Sequence, residues 1–170
     1  AERDLEEITM HQKRIPIFES AAAILAVGLV AALTALPSSN SSRQADIQTM
    51  DNLGLLRASI FRFSMEHSDL DGALWPGQND LNFEQQLLGP SRANGTVFEP
   101  DCGREDRWHG PYLESFPTNP HSGLSNVRLV SGSGSPKLTG DAGWVYQPET
   151  GKAWPDLPGQ DLRGVLYAEY

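Results

Sequence analysis

Side chains that could do chemistry are few and scattered along the chain. There is one cysteine, Cys102, and the four histidines stand at positions 11, 67, 109 and 121. The sequence has no glycine-rich phosphate loop, no G-x-S-x-G nucleophile turn and no H-E-x-x-H zinc motif. His109 lies beside Trp108 and near Tyr112, where it is either a metal or cofactor ligand or a loop histidine stacked against aromatic rings. We therefore predict a non-catalytic protein with no cofactor and no metal.

Composition narrows the classes of partner. The 22 acidic residues outnumber the 13 basic ones and give a formal net charge of −9. Nucleic-acid binding needs a surplus of lysine and arginine to neutralise phosphates, so we expect no nucleic-acid partner. One cysteine excludes an intramolecular disulfide framework and a cysteine-based zinc site. Cys102 is predicted to be a free thiol; the alternative is a disulfide to another chain in an oxidising compartment.

Residues 15–36 are apolar except for one charged residue, Glu19. At about 1.5 Å per residue, a helix of this length covers about 33 Å, which matches a bilayer hydrocarbon core of about 30 Å. Pro37 ends the run. We predict a transmembrane helix at 15–37 that contacts the lipid bilayer and other transmembrane subunits. Small residues along it would let another membrane helix approach closely: Ala23, Ala26, Gly28, Ala31 and Ala32.

The flanking charges predict how this segment is oriented. Lys13 and Arg14 precede it, and basic residues favour the cytoplasmic side, so residues 1–14 are predicted to be cytoplasmic and the rest of the chain to lie outside. A cleaved signal peptide is the alternative, but residues 32–35 make a poor cut site because Leu33 stands where a small residue belongs. A polar terminus is usually disordered unless held, so we expect a partner to order residues 1–14.

After the apolar segment we predict a polar hinge at 38–42 and an amphipathic helix at 43–66. Ser41 followed three residues later by Gln44 is typical of a helix start. Apolar residues at steps of three and four then form a stripe that we expect to pack on a domain core: Ile47, Met50, Leu53, Leu56, Ile60 and Phe63.

Further apolar residues are candidates for contact with a partner protein. On the same helix, Leu55, Phe61 or Met65 could form an exposed flank beside the core stripe. Tryptophans are frequent at the centres of protein interfaces. The alternative is that they pack inside a small domain. The tryptophan candidates are Trp75, Trp108 and Trp154.

Glycine and proline become frequent from residue 72 onward, which predicts short elements and many turns. We expect a short helix at 82–88 and strands at 127–130, 144–146 and 152–154, the last two joined as a hairpin by the loop 147–151. Residues 165–168 are predicted to form a last strand or an extended tail. The predicted class is α+β: an N-terminal transmembrane helix, an amphipathic helix and a small antiparallel β domain, with residues 43–170 as one domain.

This order of elements resembles the type IV pilin and type II secretion pseudopilin superfamily. The apolar stretch 18–37 is similar to the family's N-terminal motif. Residues 66–77 (EHSDLDGALWPG), 110–120 (GPYLESFPTNP) and 143–151 (GWVYQPETG) resemble G-type pseudopilins more specifically. The resemblance implies a bacterial inner-membrane protein with a periplasmic α+β domain.

Two departures from the family change the expected role. In the family a peptidase cuts after a small residue five positions before the glutamate, but here that position holds Arg14, and Pro16 follows. We therefore expect an uncut leader. The family pairs the glutamate with the freed amine of a neighbouring subunit, so Glu19 is instead expected to pair with nearby bases or with another subunit's helix.

Some G-type pseudopilins bind calcium in a β-domain loop. Here the acids at 101, 105 and 106 alternate with arginines and lie outside the matching loop, which favours ion pairs over a calcium site.

The sequence thus predicts a structural subunit, pseudopilin-like and single-pass, that stabilises a larger membrane complex, photosynthetic or respiratory. One alternative is a pseudopilin or minor pilin of a secretion or pilus filament. The other is a membrane-anchored periplasmic domain that binds a ligand or acts as an enzyme.

Overall fold

A computed structural model describes residues 39–78, 82–99 and 107–170. The cytoplasmic segment 1–14 with its expected ordering by a partner, the transmembrane helix 15–37 and Cys102 lie outside the described residues, as do the acids at 101, 105 and 106. So do the predicted assembly residues Glu19, Ala23, Ala26, Gly28, Ala31 and Ala32. Within the described ranges, none of the helices combines the length and the apolar character needed to cross a membrane.

Helix α1 comprises Ser39–Glu66 and is the longest element described. Residues 39–42, predicted as part of a polar hinge, are helical, and Ser41 lies inside the helix rather than capping it. The hinge prediction was wrong at these four positions because serine and asparagine reduce helix propensity by only a few tenths of a kcal/mol each. A helix stop needs a stronger signal, such as proline or glycine.

The core-facing stripe of α1 differs from the predicted one in its first half. Leu53 and Ile60 are buried as expected, but Ile47 and Met50 are 54% and 44% exposed. In this half of the helix the predicted stripe joins residues that are three positions apart. At about 100° per residue each such step falls short of a full turn by about 60°, so Ile47 lies about 180° around the helix from Leu56. In the first turns Asp46 faces the domain instead.

The main sheet has three strands, with the strand Trp144–Gln147 in the middle. Strand β4 (Trp144–Gln147) and strand β5 (Lys152–Pro155) form the predicted antiparallel hairpin, with Trp144 opposite Pro155. Strand β3 (Val127–Leu129) runs parallel to β4, so the sheet is mixed and not antiparallel throughout. The connection 130–143 is long enough to return the chain to the same end of the sheet, as parallel pairing requires.

The remaining elements are short. Strands β1 (Ser68–Asp69) and β2 (Gly72–Ala73) pair in a small hairpin that the sequence did not predict. Helix α2 (Phe83–Leu88) confirms the predicted short helix; the Asn82 side chain caps it by accepting from the Gln85 backbone N–H at 3.1 Å. A 3₁₀ helix at Tyr167–Glu169 occupies the place of the predicted last strand or tail.

The core lies where α1, α2 and the sheet meet. Phe83 stacks on Tyr146 with ring centroids 4.6 Å apart, which joins α2 to β4. The α+β class is therefore confirmed for the described residues, 39–170 with their two gaps. The core residues, each at most 6% exposed, are Leu53, Leu56, Ile60, Phe63, Leu74, Phe83, Leu87, Tyr112, Leu113, Trp144, Tyr146 and Ala153.

Candidate functional site

Helix α1 carries apolar and small residues on the side turned away from the core. Phe61 and Met65 are 56% and 70% exposed, and Gly54 and Ala58 precede them at helical spacing on the same side. Leu55, 52% exposed, borders this strip. We call Gly54, Leu55, Ala58, Phe61 and Met65 the outer face. All three helix residues predicted as partner contacts are exposed in it, as such a contact requires.

The outer face combines a shallow notch with two large side chains. A Cβ atom placed on Gly54 would meet no atom within 4 Å, so the helix backbone is open to solvent there. Ala58 follows one turn later and adds only a methyl group. Small residues four apart let a second helix approach the backbone closely, while Phe61 and Met65 supply apolar area one to two turns further along.

The tryptophans contribute less to the surface than the sequence suggested. Trp154 is only 6% exposed and belongs to the domain interior, so it is not available to a partner. Trp75 is half-buried because its ring lies directly against the backbone of Gly151, where a Cβ atom would come within 2.4 Å of it. Trp108, also half-buried, packs edge-on against Phe98 with centroids 5.2 Å apart.

A polar cluster closes the C-terminal end of α1. His67 is stacked on Phe63 with centroids 3.7 Å apart, and its Nδ1–H donates to the Phe63 carbonyl at 2.8 Å. Because a carbonyl oxygen can only accept, Nε2 of the neutral ring holds the lone pair and accepts the Ser91 hydroxyl at 2.8 Å. Burial lowers the pKa of His67 below its usual 6.5, which favours this neutral form. Ser91 is completely buried, so this pair is shielded from solvent.

His109 lies at the edge of the same cluster. Its ring meets His67 edge-on at 5.4 Å, and its Nδ1 lies 3.4 Å from Oε2 of Glu66. The Tyr112 hydroxyl donates to the same Glu66 oxygen at 2.5 Å, and this hydrogen bond is the main cause of a lowered Glu66 pKa. His109 is thus packed among rings. In the described part of the chain no three His, Cys, Asp or Glu residues are grouped to hold a metal ion.

The C-terminal segment is fastened to α1 by contacts that sequence reasoning missed. Asp46 Oδ1 accepts hydrogen bonds from Tyr167 Oη and from His121 Nε2, both at 2.8 Å, and its Oδ2 accepts from the Leu162 backbone N–H at 3.1 Å. Farther along the helix, Arg57 donates to the backbone oxygens of Ala153 and Tyr170. These partners lie 75 to 121 residues away, so no local pattern could have indicated them.

Hydrogen bonds keep the Asp46 side chain in its ionised form. Burial alone would raise its pKa, but the bonds from Leu162, Tyr167 and His121 together hold the pKa below its usual 3.8. The carboxylate is therefore ionised at neutral pH. This contact keeps the inner side of α1 occupied by its own domain, which leaves the outer face as the side open to a partner.

A cleft of 590 Å³ lies on another part of the domain, beside the β1–β2 hairpin. Trp75 and the acids Asp69, Asp71 and Glu149 contribute to its lining. Asp69 Oδ1 accepts a hydrogen bond from the backbone N–H of Asp71 at 2.8 Å, as in a local turn.

Comparison of the chain with protein-family models, with curated proteins and with solved structures gives no match.

Proposed function

We propose that this chain is a non-catalytic structural subunit of a bacterial inner-membrane complex. In this proposal the apolar segment 15–37 anchors it and packs against other transmembrane helices, and the pseudopilin-like domain that follows lies in the periplasm. The domain stabilises the assembly by docking the outer face of α1 on another subunit.

The observation that carries the proposal is the exposed outer face. The side of α1 that packs on its own domain is filled by Leu53, Leu56 and Ile60, all at most 2% exposed. Phe61 and Met65 nevertheless remain more than half exposed on the opposite side. A helix with an apolar strip on each side is typical of one that packs between its own domain and a partner, because large exposed apolar strips are uncommon on monomeric proteins.

The test is to place a charge on the outer face and measure assembly. Phe61→Glu and Met65→Glu change exposed side chains, so the domain itself should lose less than about 0.5 kcal/mol of unfolding free energy. A carboxylate in a desolvated helix contact is strongly unfavourable. Native mass spectrometry of the complex purified in mild detergent should therefore show the wild-type chain in the assembly and both variants released from it.

Leu70→Glu is the matched control, because Leu70 is fully exposed in the β1–β2 turn and outside the outer face. It should remain assembled. Retention of Phe61→Glu and Met65→Glu in the complex at wild-type level would refute docking through this face.

The alternatives predict different results. A pseudopilin or minor pilin would use the same helix inside a filament, and mass spectrometry of the native amino terminus separates the two: a methylated Ile15 favours the filament, and an intact Lys13-Arg14 leader opposes it. An enzymatic or ligand-binding domain would use the cleft beside Trp75. Ligand binding that is lost in Trp75→Ala but retained in Phe61→Glu would favour that role.

A further inference from the structure

The outward side of α1 extends to the start of the helix, where residues of the C-terminal segment border it and form a groove. We call it the proximal groove; it has a volume of 420 Å³. Ile47, Met50 and Leu162 are 54%, 44% and 60% exposed along it. The groove residues are Arg43, Asp46, Ile47, Met50, Leu162 and Arg163.

Around the groove the acidic side chains of Asp46 and Asp161 are buried, whereas Arg43 and Arg163 are exposed. The Asp161 side chain is fully buried, whereas that of Arg163 is 61% exposed. Asp161 Oδ2 accepts from Arg163 Nε at 2.7 Å and from Tyr170 Oη at 2.8 Å, and this holds the guanidinium at the rim. Asp46 likewise directs both carboxylate oxygens at partners in the domain. The surface of the groove is therefore apolar with two arginines, Arg43 and Arg163, at its edge.

The position of the groove in the chain indicates what could cover it. The apolar segment 15–37 directly precedes the described part of α1, whose first residue is Ser39. Ile47 is eight residues further, or about 12 Å along the helix axis. If the segment spans a bilayer, the groove is within chain reach of the headgroup layer on that side, whereas Phe61 lies about 33 Å along the helix from Ser39. Apolar side chains edged by arginines match an interface in which acyl chains lie below phosphates.

We propose that the proximal groove binds the surface of the bilayer. Ile47, Met50 and Leu162 contact the apolar side of the interface, and Arg43 and Arg163 contact the phosphates of anionic phospholipids. This inference rests on the proposed membrane anchor but not on docking through the outer face.

The test uses the full chain with Cys102→Ala, reconstituted into vesicles of equimolar phosphatidylcholine and phosphatidylglycerol. Single cysteines carry a nitroxide spin label at Leu162→Cys in the groove, at Leu70→Cys as the aqueous reference and at Ala26→Cys in the apolar segment. Accessibility to oxygen, which concentrates in lipid, is compared with accessibility to a water-soluble nickel chelate. We expect the label at 162 to favour oxygen, as at 26, and the label at 70 to favour nickel.

Charge variants test the arginines. Each base close to an anionic leaflet changes partitioning by about fivefold, so Arg43→Gln should lower the ratio of lipid-contacting to free label at position 162 by about that factor. Lys152→Gln removes the same charge from an exposed site on β5 and should leave the ratio unchanged. Vesicles of phosphatidylcholine alone should remove the difference between Arg43→Gln and the parent.

The outcomes separate this inference from the anchor on which it rests. A nickel-accessible label at 162 together with a lipid-embedded label at 26 overturns the groove contact and leaves the anchor intact. A nickel-accessible label at 26 overturns both. A label at 162 that neither reagent reaches shows that protein covers the groove, and this too overturns lipid contact.

Discussion

Replacing Asp46 with alanine is the sharpest test of how α1 is fixed to its domain. The change removes a carboxylate that accepts hydrogen bonds from Tyr167, His121 and Leu162. Asp51 provides the control, because it is exposed on the same helix. Asp51→Ala should therefore change the unfolding free energy by less than about 0.5 kcal/mol.

The expected magnitude follows from the number of hydrogen bonds. Each contributes about 1 kcal/mol net, so Asp46→Ala should lower the unfolding free energy by about 3 kcal/mol. Tyr167→Phe removes one of the three and should lower it by about 1 kcal/mol. The double variant should be less destabilised than the sum of the two single variants, by about 1 kcal/mol, because both remove the same bond.

The effect should depend on pH in a defined direction. The pKa of Asp46 is lowered in the folded protein, so its contribution is fully present above the unfolded-state pKa of about 3.9. It is lost as the pH falls through the folded-state pKa, where the carboxylate takes up a proton. The difference between wild type and Asp46→Ala should therefore be constant near neutral pH and shrink in acid.

The assay is urea unfolding of the full chain in mild detergent, followed by tryptophan fluorescence. Trp144 and Trp154 lie in the buried strands β4 and β5 and report on the domain. An Asp46→Ala loss below about 1 kcal/mol would refute the assigned role of the carboxylate, because it would mean that water replaces these bonds at little cost. Strict additivity with Tyr167→Phe would refute the shared hydrogen bond.

Three further predictions concern other parts of the domain. Gly151→Ala should lower the unfolding free energy by about 2 kcal/mol and shift tryptophan emission, because φ is +68° and the new Cβ would displace the Trp75 ring. Gly164→Ala is the control: φ is +82° but the space around it is open, so the same urea titration should show a loss of about 1 kcal/mol. Between pH 7 and pH 5, wild type should lose stability relative to His67→Phe. The pKa of His67 is lowered in the folded protein, so the neutral ring's contribution to stability is present above about pH 6.5 and disappears as the pH falls through the folded-state pKa. Equal slopes of unfolding free energy against pH in the two proteins would contradict this. The unfolding free energy of Phe61→Glu should be within about 0.5 kcal/mol of the wild-type value. A clearly lower urea midpoint for this variant would contradict the exposed position of Phe61.

Local patterns were sufficient for several elements. The hairpin of β4 and β5 follows from two short apolar runs around Gly151, whose positive φ suits the turn. Helix α2 follows from an asparagine cap before an apolar pattern and a glycine after it. In each, the residues that determine the structure are within a few positions of one another, so the sequence shows them directly.

Other features could not be obtained in this way. Their apolar character and near-helical spacing predict core positions for Ile47 and Met50, but the accumulated rotation of the helix places both on its exposed side. The direction of β3 depends on the path of the connection 130–143 and not on the strand's own residues. In the sequence, Trp154 cannot be distinguished from a tryptophan that contacts a partner, and only the packing of β5 shows that it is buried.

The sequence by itself determined the α+β class of the described residues, the long helix, the short helix and the hairpin, since periodicity and turn chemistry act between near neighbours. The apolar run at 15–37 and its anchoring role remain predictions from the same kind of pattern. The tertiary structure decided which sides of α1 are covered. It also decided that Asp46 accepts a hydrogen bond from Tyr167, 121 residues away, and that two arginines lie at the edge of an apolar groove. These depend on how distant segments close on one another, and the pairing of distant residues leaves no periodic trace in the sequence.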